Sequence, residues 1–261
     1  MKKFLSLIAF ITFTSVAFVS CKDDDEDTTP TPTAPTSGDV VIDITNIAGT
    51  QNVDVTGGTN YTNSFGEVFS VTKLKYYISN VQLLKNGVVT YTMPESYFLV
   101  DESVPASKLL TLPDVPGGAY TSVRFLIGVD STRNVSGSQT GALDPANGMF
   151  WTWNSGYIFF KLEGASTNAA SGNIMYHVGG FKESLSQNAI REVEIDFGGD
   201  QLNVNGTQEA EIHVMADILN FFDAVHDFRI TDTDVIHMPG NNAVMVADNY
   251  ATMFTFDHLH N

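Results

Sequence analysis

The chain has 261 residues, one cysteine, and 30 acidic against 13 basic side chains, a formal charge of -17. Such a charge repels nucleic-acid backbones and anionic lipid surfaces, so nucleic acid is excluded as a partner and cations are favoured. A lone cysteine excludes an internal disulfide and leaves the folded part without a thiolate metal ligand.

The first stretch, MKKFLSLIAFITFTSVAFVSC, places Lys2 and Lys3 ahead of an apolar run too short and wrongly flanked for a membrane span. Residues 1–20 read as a secretory signal. The ending FVSC resembles a bacterial lipobox, so Cys21 is expected to become the lipidated first residue of the mature chain. Without residues 1–20 the chain carries 11 basic against 30 acidic side chains, a formal charge of -19. Residues 21–39 hold five consecutive acids and a Thr/Pro stretch with no large apolar side chain. Such a segment buries too little to offset its ordering entropy and is expected to be an extended tether. Its acidic run resembles the surface-export signal of Bacteroidetes-type lipoproteins. The expected location is therefore the outer membrane, lipid-anchored, facing the cell surface or the periplasm.

Residues 40–261 read as a single domain. Alternating or apolar runs of strand length fall at 40–46, 97–103, 122–129, 157–164, 191–197, 209–218 and 251–260, separated by Gly, Pro and Asn turn signals. ADILNFFDAV, residues 216–225, is predicted as a short helix with Ile218, Phe221 and Phe222 on one face. The expectation is an all-β fold, an antiparallel sandwich or barrel-like Greek-key domain with one or two short helices.

No HExxH, GxSxG, P-loop or GxGxxG motif occurs, so a non-enzymatic role is expected. In the loop over 128–149, Asp130, Asn134, Asp144 and Asn147 supply oxygens suited either to a hard cation such as calcium or to turn chemistry. Directly after it, GMFWTWNSGY holds both tryptophans. If the stretch is extended, Met149, Trp151 and Trp153 point the same way, as core or as one soft, electron-rich surface.

All six histidines lie in the second half of the domain. On the last strand Phe254, Phe256, His258 and His260 are predicted to share a face, with the two histidine Cα atoms about 6.6 Å apart, close enough to converge on one metal. His177 stands before two glycines that permit close backbone approach, and reads as a ligand or as a satisfied core histidine. His237, beside Met238, is a further candidate. His213 alternates with Glu211 and Asp217 and is expected to face solvent, and His226 to cap or lie on the surface.

Taken together, LKYYISNVQL (74–83), GVD (128–130), GALDPANGMFWTWNSGYIFFKLEG (141–164), YHVGGF (176–181) and ADNYATMFTFDHLHN (247–261) resemble the MbnP family of copper-associated periplasmic and surface proteins. The resemblance implies a copper site, chiefly for Cu(I), in which a tryptophan oxidised to kynurenine joins histidines, with a di-haem peroxidase-like enzyme as the oxidant. Trp151 or Trp153 would be the modified residue. The related copper proteins place a histidine two residues after the tryptophan, where this chain has Trp153, so His177, His258 or His260 would supply the imidazole. With no thiolate available, imidazole and thioether are the remaining soft or borderline donors. Copper acquisition or storage is the implied role. The competing expectations are a surface interaction module without metal and a calcium-binding surface domain.

Overall fold

The computed structural model describes residues 36–261 except 138, 154–155 and 184–186. The signal, Cys21 and most of the tether lie outside the described residues. In chain order the longer strands are β1 (Ser37–Ala48), β2 (Val68–Lys85), β3 (Val88–Thr92), β4 (Tyr97–Asp101), β5 (Leu109–Pro116) and β6 (Ser122–Ile127). They continue as β7 (Phe160–Ala165), β8 (Asn173–Val178), β9 (Arg191–Asp196), β10 (Ala210–Asp217) and β11 (Phe254–His260), with helices α1 (Ser131–Asn134) and α2 (Asn241–Tyr250). β1 thus takes in Ser37, Gly38 and Asp39, which the sequence assigned to the tether.

Two sheets carry the fold. The smaller runs β1, β10, β11, with β5 and the short Gln51–Asn52 strand on the other side of β1. The larger runs β9, β6, β2, β7, β8 and then Val235–Ile236, with β3, β4 and Asn60–Thr62 also paired to β2. Most pairings are antiparallel, but β1 lies parallel to β10 and β8 parallel to Val235–Ile236. The parallel pair follows from connectivity. The chain builds all of the larger sheet except Val235–Ile236 between β1 and β10, and so reaches β1 again by a long crossover instead of a hairpin.

Alternation decides which side of each strand is buried. Val40, Ile42 and Ile44 of β1 and Ile212, Val214 and Ala216 of β10 enter the core between the sheets. Aromatic rings close the gap from opposite sides: Phe254 of β11 meets Tyr76 of β2 at 5.7 Å and Phe125 of β6 at 5.3 Å between centroids. A polar bridge crosses with them, since the Tyr76 hydroxyl donates to Asn46 Oδ1 and Asn46 Nδ2 donates to Glu102. Buried polar groups brought together across the core satisfy each other in this way. Where β7 crosses β2, a Cβ on Gly164 would overlap the Ser70 carbonyl, and the register shifts there.

The helix expected over 216–225 is not present. β10 continues through Asp217, and a single 3-10 turn, Ile218–Phe221, follows, capped by the Asp217 carboxylate on Leu219 N at 3.0 Å. Ile218, Phe221 and Phe222 are all fully buried. One tight turn aims Phe221 at Phe160 and Tyr176, and Phe222 at Tyr176, and a full helix is not needed. The true helix is α2, whose Ala243, Val246, Ala247 and Tyr250 form a buried stripe at helical spacing.

Glu67, buried at the start of β2, ties the late loop to the larger sheet. Its carboxylate accepts from Asn63 Nδ2, Ile230 N, Thr231 N and Thr231 Oγ1 at 2.7–2.9 Å. Burial alone pushes its pKa up, but the donors from Asn63, Thr231 and Ile230 outweigh it and hold the group below the usual glutamate value. A folded-state pKa lowered this way gives stability that is present above the unfolded value and lost as pH falls through the folded one. Glu67→Gln should cost about 1–3 kcal/mol at neutral pH, because an amide nitrogen would then face backbone donors. Denaturant titrations should show the gap between wild type and variant closing as the pH is taken down into the acid range.

Candidate metal centre

The outer face of the smaller sheet carries a row of ligand-capable side chains. On β10, Ile212 and Val214 point inward, so Glu211 and His213 point out. β1 places Asp43 opposite His213 on one side, and β11 places His258 opposite it on the other. His213 Nε2 stands 3.1 Å from Asp43 Oδ2 and 3.7 Å from Glu211 Oε1. Its Nδ1 is 3.8 Å from Asp257 Oδ2, which is 2.9 Å from His258 Nδ1. The His213 and His258 rings stack at 4.5 Å, and His258 Nε2 faces His260 Nε2 at 3.1 Å. Among the described residues, His213 Nδ1 is buried with no hydrogen-bond partner. Two sets of donors gather within 4.8 Å around this ring: His213, Asp257 and His258, and Asp43, Glu211 and His213.

The expectation that Phe254, Phe256, His258 and His260 share one face is overturned by a bulge. Val214 pairs with Phe256 and His213 with His258, so Asp257 is an extra residue. Past it the sides exchange: Phe254, Phe256 and Leu259 pack toward the core, while His258 and His260 are exposed on the outer face. His213, read from the sequence as solvent-facing, is only partly exposed and stands at the middle of the cluster. Its signal in the sequence was incomplete, because Asp43 and His258 become its neighbours only through strand pairing.

The tryptophan segment does not run as one extended face. Phe150–Trp151 pairs with Gly156–Tyr157, and the chain turns at Thr152 and Trp153. Alternation ends there: Met149 and Trp151 are 0% and 6% exposed and belong to the core, whereas Trp153 is 60% exposed. The indoles remain neighbours, 5.7 Å between centroids. Gly179 makes room for them, since a Cβ there would stand 3.0 Å from the Trp151 ring. Lys161, which the sequence reading did not single out, is buried beneath this hairpin and its ammonium donates to the Gly148 carbonyl. Burial holds its pKa below the usual lysine value.

His177 lies on β8 in the larger sheet and joins neither donor set. Its Nε2 is 2.7 Å from Glu163 Oε1, a carboxylate that Lys73 also pairs at 2.8 Å. Burial, with repulsion from Lys161 and Lys73, lowers the His177 pKa against the pull of Glu163. A neutral ring donating to Glu163 is the result. His237 and Met238 are exposed after Val235–Ile236, and His237 joins neither donor set. His226 Nε2 meets Asp248 of α2 at 2.9 Å.

In the 128–149 loop, Asp130 caps α1, Asp144 accepts from Ala146 N, and Asn134 and Asn147 donate to backbone carbonyls nearby. Each of the four side chains is engaged in holding the loop's turns.

A profile of MbnP matches residues 37–245. The chain belongs to the MbnP family. Its fold is similar to that of MbnP from Methylosinus trichosporium, at 15% identity and a TM-score of 0.43, over 72% of this chain and 78% of that one. No curated protein matches the sequence. The MbnP match takes in Trp151, Trp153, His177, His213 and His237, and ends before β11, which contributes Asp257, His258 and His260. Imidazole nitrogens with carboxylate oxygens are a donor set that copper accepts.

The unequal burial of the two indoles is directly measurable. Trp151→Ala should cost about 3–5 kcal/mol in a thermal or denaturant melt, as for other large core aromatics. Trp153→Ala should fall within about 0.5 kcal/mol of wild type, as for surface positions. Acrylamide should quench the fluorescence of the Trp151→Phe variant strongly and that of Trp153→Phe weakly.

Proposed function

We propose that this MbnP-family protein binds copper at the envelope surface, held there by a lipid on Cys21, and serves in copper acquisition or storage without catalysing a reaction. The observation that carries the reading is the His213 Nδ1 lone pair, buried without a partner beside Asp257, His258 and His260. The chemistry copper needs from the chain is a set of neutral imidazoles that can donate lone pairs, and three of the six histidines are assembled there on one sheet face. Net charge supports the same reading, since an acidic surface concentrates cations near it.

Trp153 is the indole open to a partner oxidant of the di-haem peroxidase-like class, and Trp151 is shielded by the hairpin. Conversion of Trp153 to kynurenine gains one oxygen and loses one carbon overall, so peptide masses over 148–157 from native cells identify it. Anchoring rests on the lipobox-like FVSC, and two or more acyl chains on Cys21 give stable attachment.

Copper titration of the purified chain, followed by metal analysis after gel filtration, should give one copper per chain. The His258→Ala/His260→Ala double variant and His213→Ala should each lose it, and His177→Ala should keep it. Stoichiometric copper in the double variant with unchanged affinity would remove the site. Calcium as the sole retained metal would shift the assignment to the 128–149 loop, and no metal would leave a surface interaction module. Cys21→Ala should move the protein from the membrane fraction to the soluble fraction in cells.

A further inference from the structure

The carboxylates of the two sheets are treated differently. On the larger sheet Glu163 and Asp101 each have an ammonium partner: Lys73 with Glu163 at 2.8 Å, Lys75 with Asp101 at 2.7 Å. On the smaller sheet, among the described residues, Asp43, Glu211 and Asp257 form ion pairs with histidines only. Three carboxylates therefore surround imidazoles with no lysine or arginine to balance them. Such a place is short of positive charge.

The arrangement also fixes which nitrogen of His213 is available. Nε2 faces two carboxylates, Asp43 Oδ2 at 3.1 Å and Glu211 Oε1 at 3.7 Å, which accept hydrogen bonds and cannot donate them, so Nε2 is the nitrogen that carries the hydrogen. A neutral imidazole then has its lone pair on Nδ1. That is the atom left buried and unpartnered, turned toward Asp257 and His258. A histidine that gives its other N–H to a carboxylate is the usual outer support of a metal-bound imidazole, and the support raises its basicity. Asp43 and Glu211 are positioning residues here, and His213, Asp257, His258 and His260 the ligands.

We infer, on the reading of this cluster as the copper site, that it is built for the divalent ion, Cu(II), and holds Cu(I) poorly. Every donor is an imidazole nitrogen or a carboxylate oxygen. Soft thiolate or thioether ligands select Cu(I), and imidazole with oxygen suits a divalent first-row ion. No thiolate is present in the domain; of the thioethers, Met149 is sealed in the core, and Met215, on the outer face of β10, pairs with Thr255 on the side of His213 away from Glu211 and His260. The uncompensated carboxylates add to the preference, because a second positive charge on the ion is stabilised by each of them. Among divalent ions the same donors rank Cu(II) above Zn(II).

The test uses the purified chain, its tryptophans confirmed by mass as unmodified, and two probes. Cu(II) binding is followed by electron paramagnetic resonance and by competition with a Cu(II) chelator. Cu(I) binding is followed by competition with a colorimetric Cu(I) chelator under anaerobic ascorbate. The expected result is a Cu(II) spectrum with nitrogen hyperfine structure and an affinity for Cu(II) at least tenfold above that for Cu(I). Asp257→Asn and His213→Asn should abolish the spectrum. Asp43→Asn, which keeps the shape but weakens the support of Nε2, should reduce Cu(II) affinity by about 10–100-fold. Circular dichroism melts confirm that each variant is folded, and the near-isosteric Asp43→Asn and Asp257→Asn keep the test open if His213→Asn is not. Tighter binding of Cu(I) than Cu(II), lost in the same variants, overturns the divalent preference and leaves the copper site standing. Failure of both ions to bind, or binding indifferent to all these variants, overturns the site itself.

Discussion

One extra residue on the last strand decides what both faces of the smaller sheet can do. A strand alternates strictly, so residues 254, 256, 258 and 260 would all fall on one side if β11 were regular. Phe254 is needed inside, where it meets Tyr76 and Phe125 across the core. A regular strand that kept it there would drive His258 and His260 inward too, and leave Leu259 and Asp257 outside. The bulge at Asp257 removes the conflict. It lets the aromatic half of β11 seal the sandwich and the histidine half stand beside His213, and it sets the Asp257 carboxylate at the edge of two imidazole rings. Core closure and the donor cluster thus depend on the same irregularity.

The cluster is held in place by elements far apart in the chain. Asp43 comes from the first strand, Glu211 and His213 from the tenth, and Asp257, His258 and His260 from the last. The parallel pairing of β1 with β10 brings Asp43 level with His213, and the antiparallel pairing of β10 with β11 brings His258 level with both. Strand pairing fixes these side chains through backbone hydrogen bonds, so the row is as rigid as the sheet beneath it. That sheet is buried on its inner side by Val40, Ile42, Ile212 and Val214. Packing energy in the core therefore goes into the preorganisation of the outer face.

Much of the strand pattern was legible, because alternation over 40–46, 122–129, 191–197 and 209–218 reports burial directly, and those runs coincide with β1, β6, β9 and β10. One helix was read where there is a turn, and another was missed, for opposite reasons. ADILNFFDAV has the spacing of a helix, yet its aromatic residues are all buried around a single turn at the end of a strand. NNAVMVADNY hides its stripe behind asparagines, although Ala243, Val246, Ala247 and Tyr250 stand at helical intervals. At the candidate site, the HxH spacing was visible and its face was not, since a bulge leaves no composition signature. His213 was read as solvent-facing from its polar neighbours Glu211 and Asp217; it does point outward, but residues on other strands, Asp43 and His258, partly cover it. The tryptophan pair was visible as a motif, but the turn at Thr152 divides it into one core ring and one surface ring.

That division separates two kinds of chemistry along the chain. The hairpin that presents Trp153 is fastened to the larger sheet through Lys161 and the Gly148 carbonyl and by the fit of Trp151 over Gly179. It lies within the span matched by the MbnP profile. The histidine row is fastened to the smaller sheet, and half of it comes from a strand beyond that span. An indole 60% exposed on a turn is suited to meeting another protein, since little of its surface is committed to packing. Imidazoles carried on paired strands and bordered by unbalanced carboxylates are suited to holding an ion, since the strand pairing sets their positions before it arrives. The proposed copper site therefore needs no modified tryptophan to be complete. Oxidation of Trp153 would act on the hairpin, with which the strands of the cluster do not pair.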